Sequence, residues 1–285
     1  MSSPADFKEV MKDLLVHGSY SDMEITCQGF TFKVHRNVVC TQSHFFKSAL
    51  SGDFKEATER AISLPDDGVE TIERVLSYLY LQDYHESGHI VPLKSNENKS
   101  HKISEIDAET AENDPNSDAE DGSANSETIA VVASNNVLVY IAADKFGIIP
   151  LKSLAAERFT RWVDANWESG PFLGIVEEVM TLVPPHDSVI RNILADAISK
   201  NLRRLVSQGA ILPLIETFGS LGSAVIARLV ETDRVMGRKE EQFTILTEIA
   251  QKFDLICKHC GRTFNAGMEI GEYQYGRIQC AVCRW

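Results

Sequence analysis

Four cysteines near the C-terminal end have the spacing that does chemistry most clearly. Cys257 and Cys260 bracket two residues, Cys280 and Cys283 bracket two more, and nineteen residues lie between the pairs. Two thiols two residues apart can turn toward one metal from a tight knuckle, and Gly261 permits the backbone bend. Four thiolates complete a tetrahedral shell around Zn2+, with no position left for water, so the spacing predicts a structural zinc ribbon, not a catalytic zinc centre. The intervening Phe264, Ile270, Tyr273, Tyr275 and Ile278 are too few to form a core without metal. His259 is an alternative ligand, and two redox dithiols are the competing reading. Lys258, Arg262, Arg277 and Arg284 are offset by Asp254, Glu269 and Glu272, a poor charge case for nucleic acid.

Elsewhere the chemistry-bearing residues are sparse. Cys27 and Cys40 fall on apolar faces, where a buried free thiol is the default. His35 has no nucleophile to serve and reads as a hydrogen-bonded core histidine. Asp22 and Arg36 flank a hairpin and read as a salt bridge closing it against the next helix. No phosphate-binding glycine loop, dinucleotide fingerprint, paired-carboxylate set or His-Glu-x-x-His motif is present, and the chain reads as a non-enzyme.

The elements that must position these groups follow from periodicity. Met23, Ile25 and Cys27 alternate on one face of a strand, Gln28-Gly29 supplies a turn, and Phe30, Phe32 and Val34 return antiparallel. Helical periods follow through Val38 and Val39, then from a cap at Ser43 through Phe45, Phe46, Ala49 and Leu50 to Ser51-Gly52. Ile62-Ser63-Leu64 reads as a short strand. Asp67 and Glu70 look like a capping box opening a helix whose inner face is Val69, Ile72, Val75, Leu76 and Leu79, ending near Gln82. Ahead of all this, Phe7, Val10, Met11, Leu14 and Leu15 form an apolar stripe from Ala5 to Val16.

The order Ser21-Asp22, Phe32-Lys33-Val34-His35-Arg36-Asn37-Val38-Val39, Ser43-His44-Phe45-Phe46 and Gly52-Asp53-Phe54-Lys55-Glu56 resembles the BTB/POZ domain. It continues through Ile62 to Asp67 and Val75 to Tyr80, and resumes at Val139 to Ile148 with Leu151-Lys152. The wording is similar to BTB proteins common in filamentous fungi, and the resemblance covers roughly the first 165 residues. It implies an α+β fold, a short sheet flanked by helices, followed here by an α-helical region and the small ribbon. It also implies function through protein contact. Phe54 and Glu56 match the apolar-x-Glu pattern with which BTB adaptors dock a cullin scaffold. Asp22 and Arg36 match the charged pocket near the dimer centre of BTB transcription factors. Phe7, Val10, Met11 and Leu14 stand where relatives use a helix to dimerise; the alternative is that this helix merely covers the hairpin.

Organisation follows from composition. The expected divisions are an N-terminal helix at 1–20, the BTB/POZ domain at 21–167, a helical region at 172–250 and the ribbon at 253–285. Net charge is −13, and residues 86–127 hold 11 acidic residues against 3 lysines, a balance of −8. Their polar composition predicts an acidic disordered insertion inside the domain. Beyond it, Leu151, Leu154, Ala155, Arg158, Phe159, Trp162 and Val163 follow helical spacing, and helices are expected at Phe172 to Val183, Ser188 to Val206 and Ile211 to about Val230. These loosely resemble the helical extension that follows many BTB domains. No secretory signal or stretch of the roughly 20 apolar residues a membrane span needs is visible, which places the expected protein in the cytoplasm or nucleus. Two functions are compatible with this reading. One is an adaptor pairing through the BTB domain, with a cullin or a second copy as partner; the other is a nuclear transcription-associated scaffold whose ribbon contacts DNA or chromatin.

Overall fold

The computed structural model describes residues 6–51, 54–93, 121–209, 211–232, 266–269 and 277–280, with 121–126 and the last two stretches as backbone alone. Residues 1–222 make one unit and 223–285 a second.

The first unit is built on a three-stranded sheet in the order β2-β1-β3, from β1 (Met23–Cys27), β2 (Phe30–Val34) and β3 (Ala61–Ser63). β1 and β2 are antiparallel, with Ile25 opposite Phe32, and β3 is parallel to β1, with Ile62 opposite Ile25. The alternation read from sequence is the burial pattern observed: Met23, Ile25, Cys27, Phe32, Val34 and Ile62 are buried. Gln28 and Gly29 both have positive φ, 47° and 84°, the paired left-handed geometry of a tight hairpin turn.

α1 (Phe7–His17) is opened by the Asp6 carboxylate, which accepts from Lys8 N, and closed by Gly18 at φ 61°. A Cβ at Gly18 would meet Lys33 Cβ at 2.6 Å, so the approach of α1 to β2 requires glycine. α1 packs on β2 and on α5 (Val69–Leu81) and buries Leu15, while Phe7 is 75% and Val10 40% exposed. Met11 and Leu14 are half-buried. The helix thus covers the hairpin and still presents an apolar outer edge.

The domain continues through α2 (Arg36–Gln42), α3 (His44–Ala49) and α4 (Lys55–Glu59). α5 begins without the expected capping box: Gly68 is its N-cap, with no side-chain cap hydrogen bond. The Asp67 carboxylate is drawn instead to Lys145 Nζ, 2.7 and 2.9 Å from its two oxygens, a partner 78 residues away that outcompetes the local cap.

Two parts of the segment 86–127, expected to be disordered, have described structure. Residues 86–93 are fastened down: the buried Glu73 carboxylate accepts from Ile90 N (2.9 Å), Val91 N (3.1 Å) and Ser77 Oγ (2.9 Å). On the far side, α6 (Asp121–Lys145) starts inside the segment expected to lack structure. Side chains from both flanks then close on each other. Asn135 Nδ2 donates to Glu86 O, Asn136 Nδ2 to Glu86 Oε1, and Tyr84 Oη to Asn136 Oδ1, at 2.6–2.7 Å. Composition does not encode these ties, because a buried polar group is satisfied only by partners that the fold delivers. Residues 94–120 lie outside the described residues.

α6 packs on α5 and on α7 (Ile149–Asn166), which is fixed by Trp162 Nε1 donating to Ile129 O at 2.9 Å. α8 (Phe172–Leu182) and α9 (Ser188–Ser207) follow within a residue of their expected bounds. The single helix expected from Ile211 is two: α10 (Ile211–Thr217) stops and a new helix starts at Gly219. Gly219 and Gly222 weaken helix propagation there, and the Phe218 carbonyl instead accepts from Leu221 N at 2.8 Å. No single helix among the described residues is long and apolar enough to cross a membrane.

In the second unit β4 (Ala266–Glu269) and β5 (Arg277–Cys280) pair antiparallel, with Ala266 opposite Cys280. Cys257, Cys260 and Cys283 lie outside the described residues, as do residues 233–265, which include the end of the helical region expected to reach 250.

Candidate functional site

Phe54 is placed by the short α4. It occupies the N-cap position with extended backbone (φ −68°, ψ 151°), and its carbonyl accepts from Ala57 N at 3.1 Å and Thr58 N at 3.3 Å. Glu56 sits in the first turn, where the helix dipole favours a carboxylate. Arg60 ends the helix in the left-handed region (φ 53°), and its carbonyl accepts from Glu24 N as the chain enters β3. The pair is thereby held between α3 and the sheet, with Phe54 61% exposed. An aromatic side chain in that state stores unburied apolar area that a partner can cover.

Phe54 and Glu56 line a groove of about 580 Å³ with His44, Phe45, Ser48 and Ala49 of α3 and Asp144, Lys145 and Gly147 at the end of α6. Its floor rests on a rigid aromatic cluster, since the Phe45 and Phe46 rings each lie 5.2 Å from Phe146. The Ser43 hydroxyl fixes the two walls. It caps α3 by accepting from Phe46 N (3.3 Å) and donates to Phe146 O (2.6 Å). Phe54 and Glu56 are legible in the sequence as a short motif, and the opposite wall is not. Asp144, Lys145 and Gly147 were legible only as the motif that resumes after the insertion.

The other candidates each have hydrogen-bond partners within the domain. Asp22 and Arg36 do not form the expected salt bridge: Asp22 Oδ1 accepts from the Arg36 backbone N at 2.8 Å, while the guanidinium donates to Leu50 O at 3.3 Å. A carboxylate facing the free N–H groups of a helix start satisfies a donor that a guanidinium pair would leave open. His35 is a core histidine. Its Nε2 faces the Ser19 carbonyl at 2.7 Å, which only accepts, so Nε2 carries the proton and Nδ1 accepts from Tyr80 Oη at 2.7 Å. The Tyr80 oxygen accepts in turn from His35 N at 2.8 Å. Burial pushes the Tyr80 phenol well above its usual range, so it remains a donor. Cys27 is buried and donates to Asp67 O at 2.8 Å; burial raises its pKa and that of Cys40. Neither thiol is activated.

A second polar cluster joins the domain to the helices after it. Asp187, the N-cap of α9, accepts from Tyr140 Oη (2.6 Å) and Lys152 Nζ (2.7 Å), and Lys152 also pairs with Asp144 at 2.7 Å. Burial alone would raise the Asp187 pKa, but the hydrogen bonds from Lys152 and Tyr140 hold it below the usual carboxylate value. Among the described residues no group of three or more His, Cys, Asp or Glu side chains is placed to hold a metal ion. Of the four thiol ligands read from sequence only Cys280 is described, as the backbone end of β5.

A small mixed sheet enclosed by helices, with an apolar groove between α3, α4 and α6, defines an α+β fold of the BTB type. Residues 11–110 match the family model of the BTB/POZ domain. Over 71 residues the chain is 34% identical to human Kelch repeat and BTB domain-containing protein 4, which covers 25% of this chain and 13% of that protein. It is 29% identical over 73 residues to Kelch-like protein 40 of Xenopus laevis, covering 26% of this chain and 12% of that one. The chain therefore spans about an eighth of the length of these curated relatives. The solved BTB domain of human gigaxonin aligns with 55% of this chain and 96% of its own length, at 16% identity and a TM-score of 0.29.

Proposed function

We propose that this chain is a non-enzymatic interaction protein whose BTB domain docks a cullin scaffold through the Phe54 groove and presents its helical region or C-terminal ribbon to a client. The observation that carries the reading is Phe54, an aromatic side chain left 61% exposed at the mouth of a preformed groove, with Glu56 beside it. An exposed aromatic anchor next to a carboxylate has the makeup of an interface hot spot. The resemblance of Phe54-Lys55-Glu56 to the apolar-x-Glu pattern of BTB adaptors supports the choice of partner. Affinity purification of the tagged chain tests it. A cullin recovered with wild type and lost with Glu56→Lys is the expected result, and a cullin retained equally by both refutes the docking site.

The four C-terminal cysteines belong to the same proposal as a structural zinc ribbon. Its support is the C-x2-C spacing and the antiparallel pair β4–β5, which starts after Cys260 and ends on Cys280. When bound, zinc would cross-link the two knuckles and supply the folding free energy that so few apolar residues cannot. The exposed edge of α1, carrying Phe7 and Val10, is the surface on which self-association would form.

A further inference from the structure

The spacing Arg-x-x-Ser occurs three times in the sequence, as Arg60 with Ser63, Arg74 with Ser77 and Arg204 with Ser207. A guanidinium three residues ahead of a serine is the charge pattern that arginine-directed protein kinases read with an acidic subsite. The fold discriminates among the three. Ser63 is the last residue of β3, where its backbone is paired with Thr26 of β1. Ser77 is fully buried in α5 and donates to the Glu73 carboxylate at 2.9 Å. Ser207 is exposed and is the final residue of α9, two residues before Gly209 at φ 80°. A helix frays in its last turn, where carbonyls lack helical partners, so of the three backbones this one is drawn out at least cost.

The groups that would receive a phosphate are already beside Ser207. Arg203 and Arg204 stand four and three residues before it, the spacing that brings side chains together on one helix face. Arg203 is exposed, and its side chain has no hydrogen bond or ion pair among the described residues. Arg204 is held by one carboxylate, Glu168 just beyond α7, with Nε 2.5 Å from Oε1, and lies over the Trp167 ring at 5.8 Å. We propose that Ser207 is a phosphorylation site for an arginine-directed serine kinase, and that its phosphate draws Arg204 away from Glu168. In the reaction Ser207 Oγ forms a bond to the γ-phosphorus of ATP. The bond from that phosphorus to the β,γ-bridging oxygen breaks, ADP leaves, and the hydroxyl proton passes to the carboxylate base of the kinase. The product places about −1.5 to −2 charges at the negative end of the α9 dipole. The Ser207 oxygen, which donates to Arg204 O at 2.7 Å, then has no hydrogen to give. Two guanidiniums within one turn answer the new charge with stronger hydrogen bonds than one exposed carboxylate supplies. Leu205 and Ile211 are both buried where α9 meets α10, so the modification falls on the joint between these helices.

The test treats the full chain with ATP and the catalytic subunit of cyclic-AMP-dependent protein kinase, and locates phosphate by tandem mass spectrometry. A peptide of residues 201–209 runs in parallel. Phosphate should enter Ser207 and not Ser63 or Ser77. Leu205 must leave its packing as the turn opens, so the full chain should react about ten- to a hundredfold more slowly than the peptide. Ser207→Ala should remove the phosphate, and Arg204→Gln should lower kcat/KM at Ser207 by about tenfold or more. Glu168→Gln breaks the same ion pair but frees the guanidinium for the kinase. It should raise the rate by about two- to fivefold, the scale of an exposed pair. No phosphate at Ser207 of the full chain overturns the proposal, whether or not the peptide reacts. A rate in Arg204→Gln equal to wild type overturns it too, as does equal labelling of Ser63 and Ser77, which would report unfolding. The movement of Arg204 has its own readout in hydrogen exchange at the Trp167 and Ser169 amides, bonded to Val163 O and Asn166 O. Phosphorylation should speed exchange there in wild type and add nothing in Glu168→Gln. Unchanged exchange in phosphorylated wild type overturns the transfer of Arg204.

Discussion

The Ser43 hydroxyl donates a 2.6 Å hydrogen bond to the Phe146 carbonyl across 103 residues of sequence, while the same oxygen caps α3 through Phe46 N. One buried atom therefore starts a helix and fixes the end of α6 beside it, which sets the walls of the Phe54 groove.

Ser43→Ala removes the cap and leaves the Phe146 carbonyl without this donor. The expected loss is about 1–3 kcal/mol of stability, measured by urea denaturation followed at the aromatic signals. A change below about 0.5 kcal/mol would mean that water replaces the hydroxyl in both roles.

Glu73 is the anchor of the segment leading to the insertion. Glu73→Ala strips the amides of Ile90 and Val91 of their acceptor and should cost about 2–4 kcal/mol. Hydrogen exchange at those two amides should accelerate more than at the amides of β1. Unchanged protection there would show that the segment is held by something else.

Replacing residues 94–120 with a short Gly-Ser linker should leave the stability of the remaining chain within about 1 kcal/mol. The flanks are already tied to each other through Glu86, Asn135 and Asn136, and loop-closure entropy changes only with the logarithm of length. A larger loss would mean that the replaced residues pack on the domain.

Asp187 gives the junction between α6, α7 and α9 a defined acid response. Its folded pKa lies below the unfolded value of about 3.9, so the stabilisation it confers is fully present above that value. It is lost as pH falls through the folded pKa. The melting-temperature gap between wild type and Asp187→Asn should stay constant from about pH 7 to about pH 5 and close below about pH 4. A gap that widens in acid would reverse the sign of the linkage.

The ribbon proposal makes an expectation for metal removal. Cys257→Ser, or a strong chelator, should release zinc and abolish folded signals from residues 253–285, while the unfolding transition of residues 1–222 is unchanged. A C-terminal segment that stays folded with no metal in elemental analysis would discard the assignment.

Much of the domain was written locally. The hairpin turn needs only Gln28-Gly29, the sheet face only the alternation of Met23, Ile25 and Cys27, and the cap of α3 only Ser43, because each is decided by neighbours within a few residues. Phe54 and Glu56 were legible for the same reason, as a short motif on a short helix. Tertiary structure decided the groups whose partners are distant. Asp67 left its own helix for Lys145, and Asp22 capped α2 instead of pairing with the Arg36 side chain. Glu86, inside a segment whose composition predicts disorder, and Glu73 of α5, which holds residues 90 and 91, became fixed points of the fold. Local propensity is settled by what lies next in sequence. A carboxylate or amide leaving water takes whichever donor the packed chain places within about 3 Å, and that position exists only after α6 has closed onto α5.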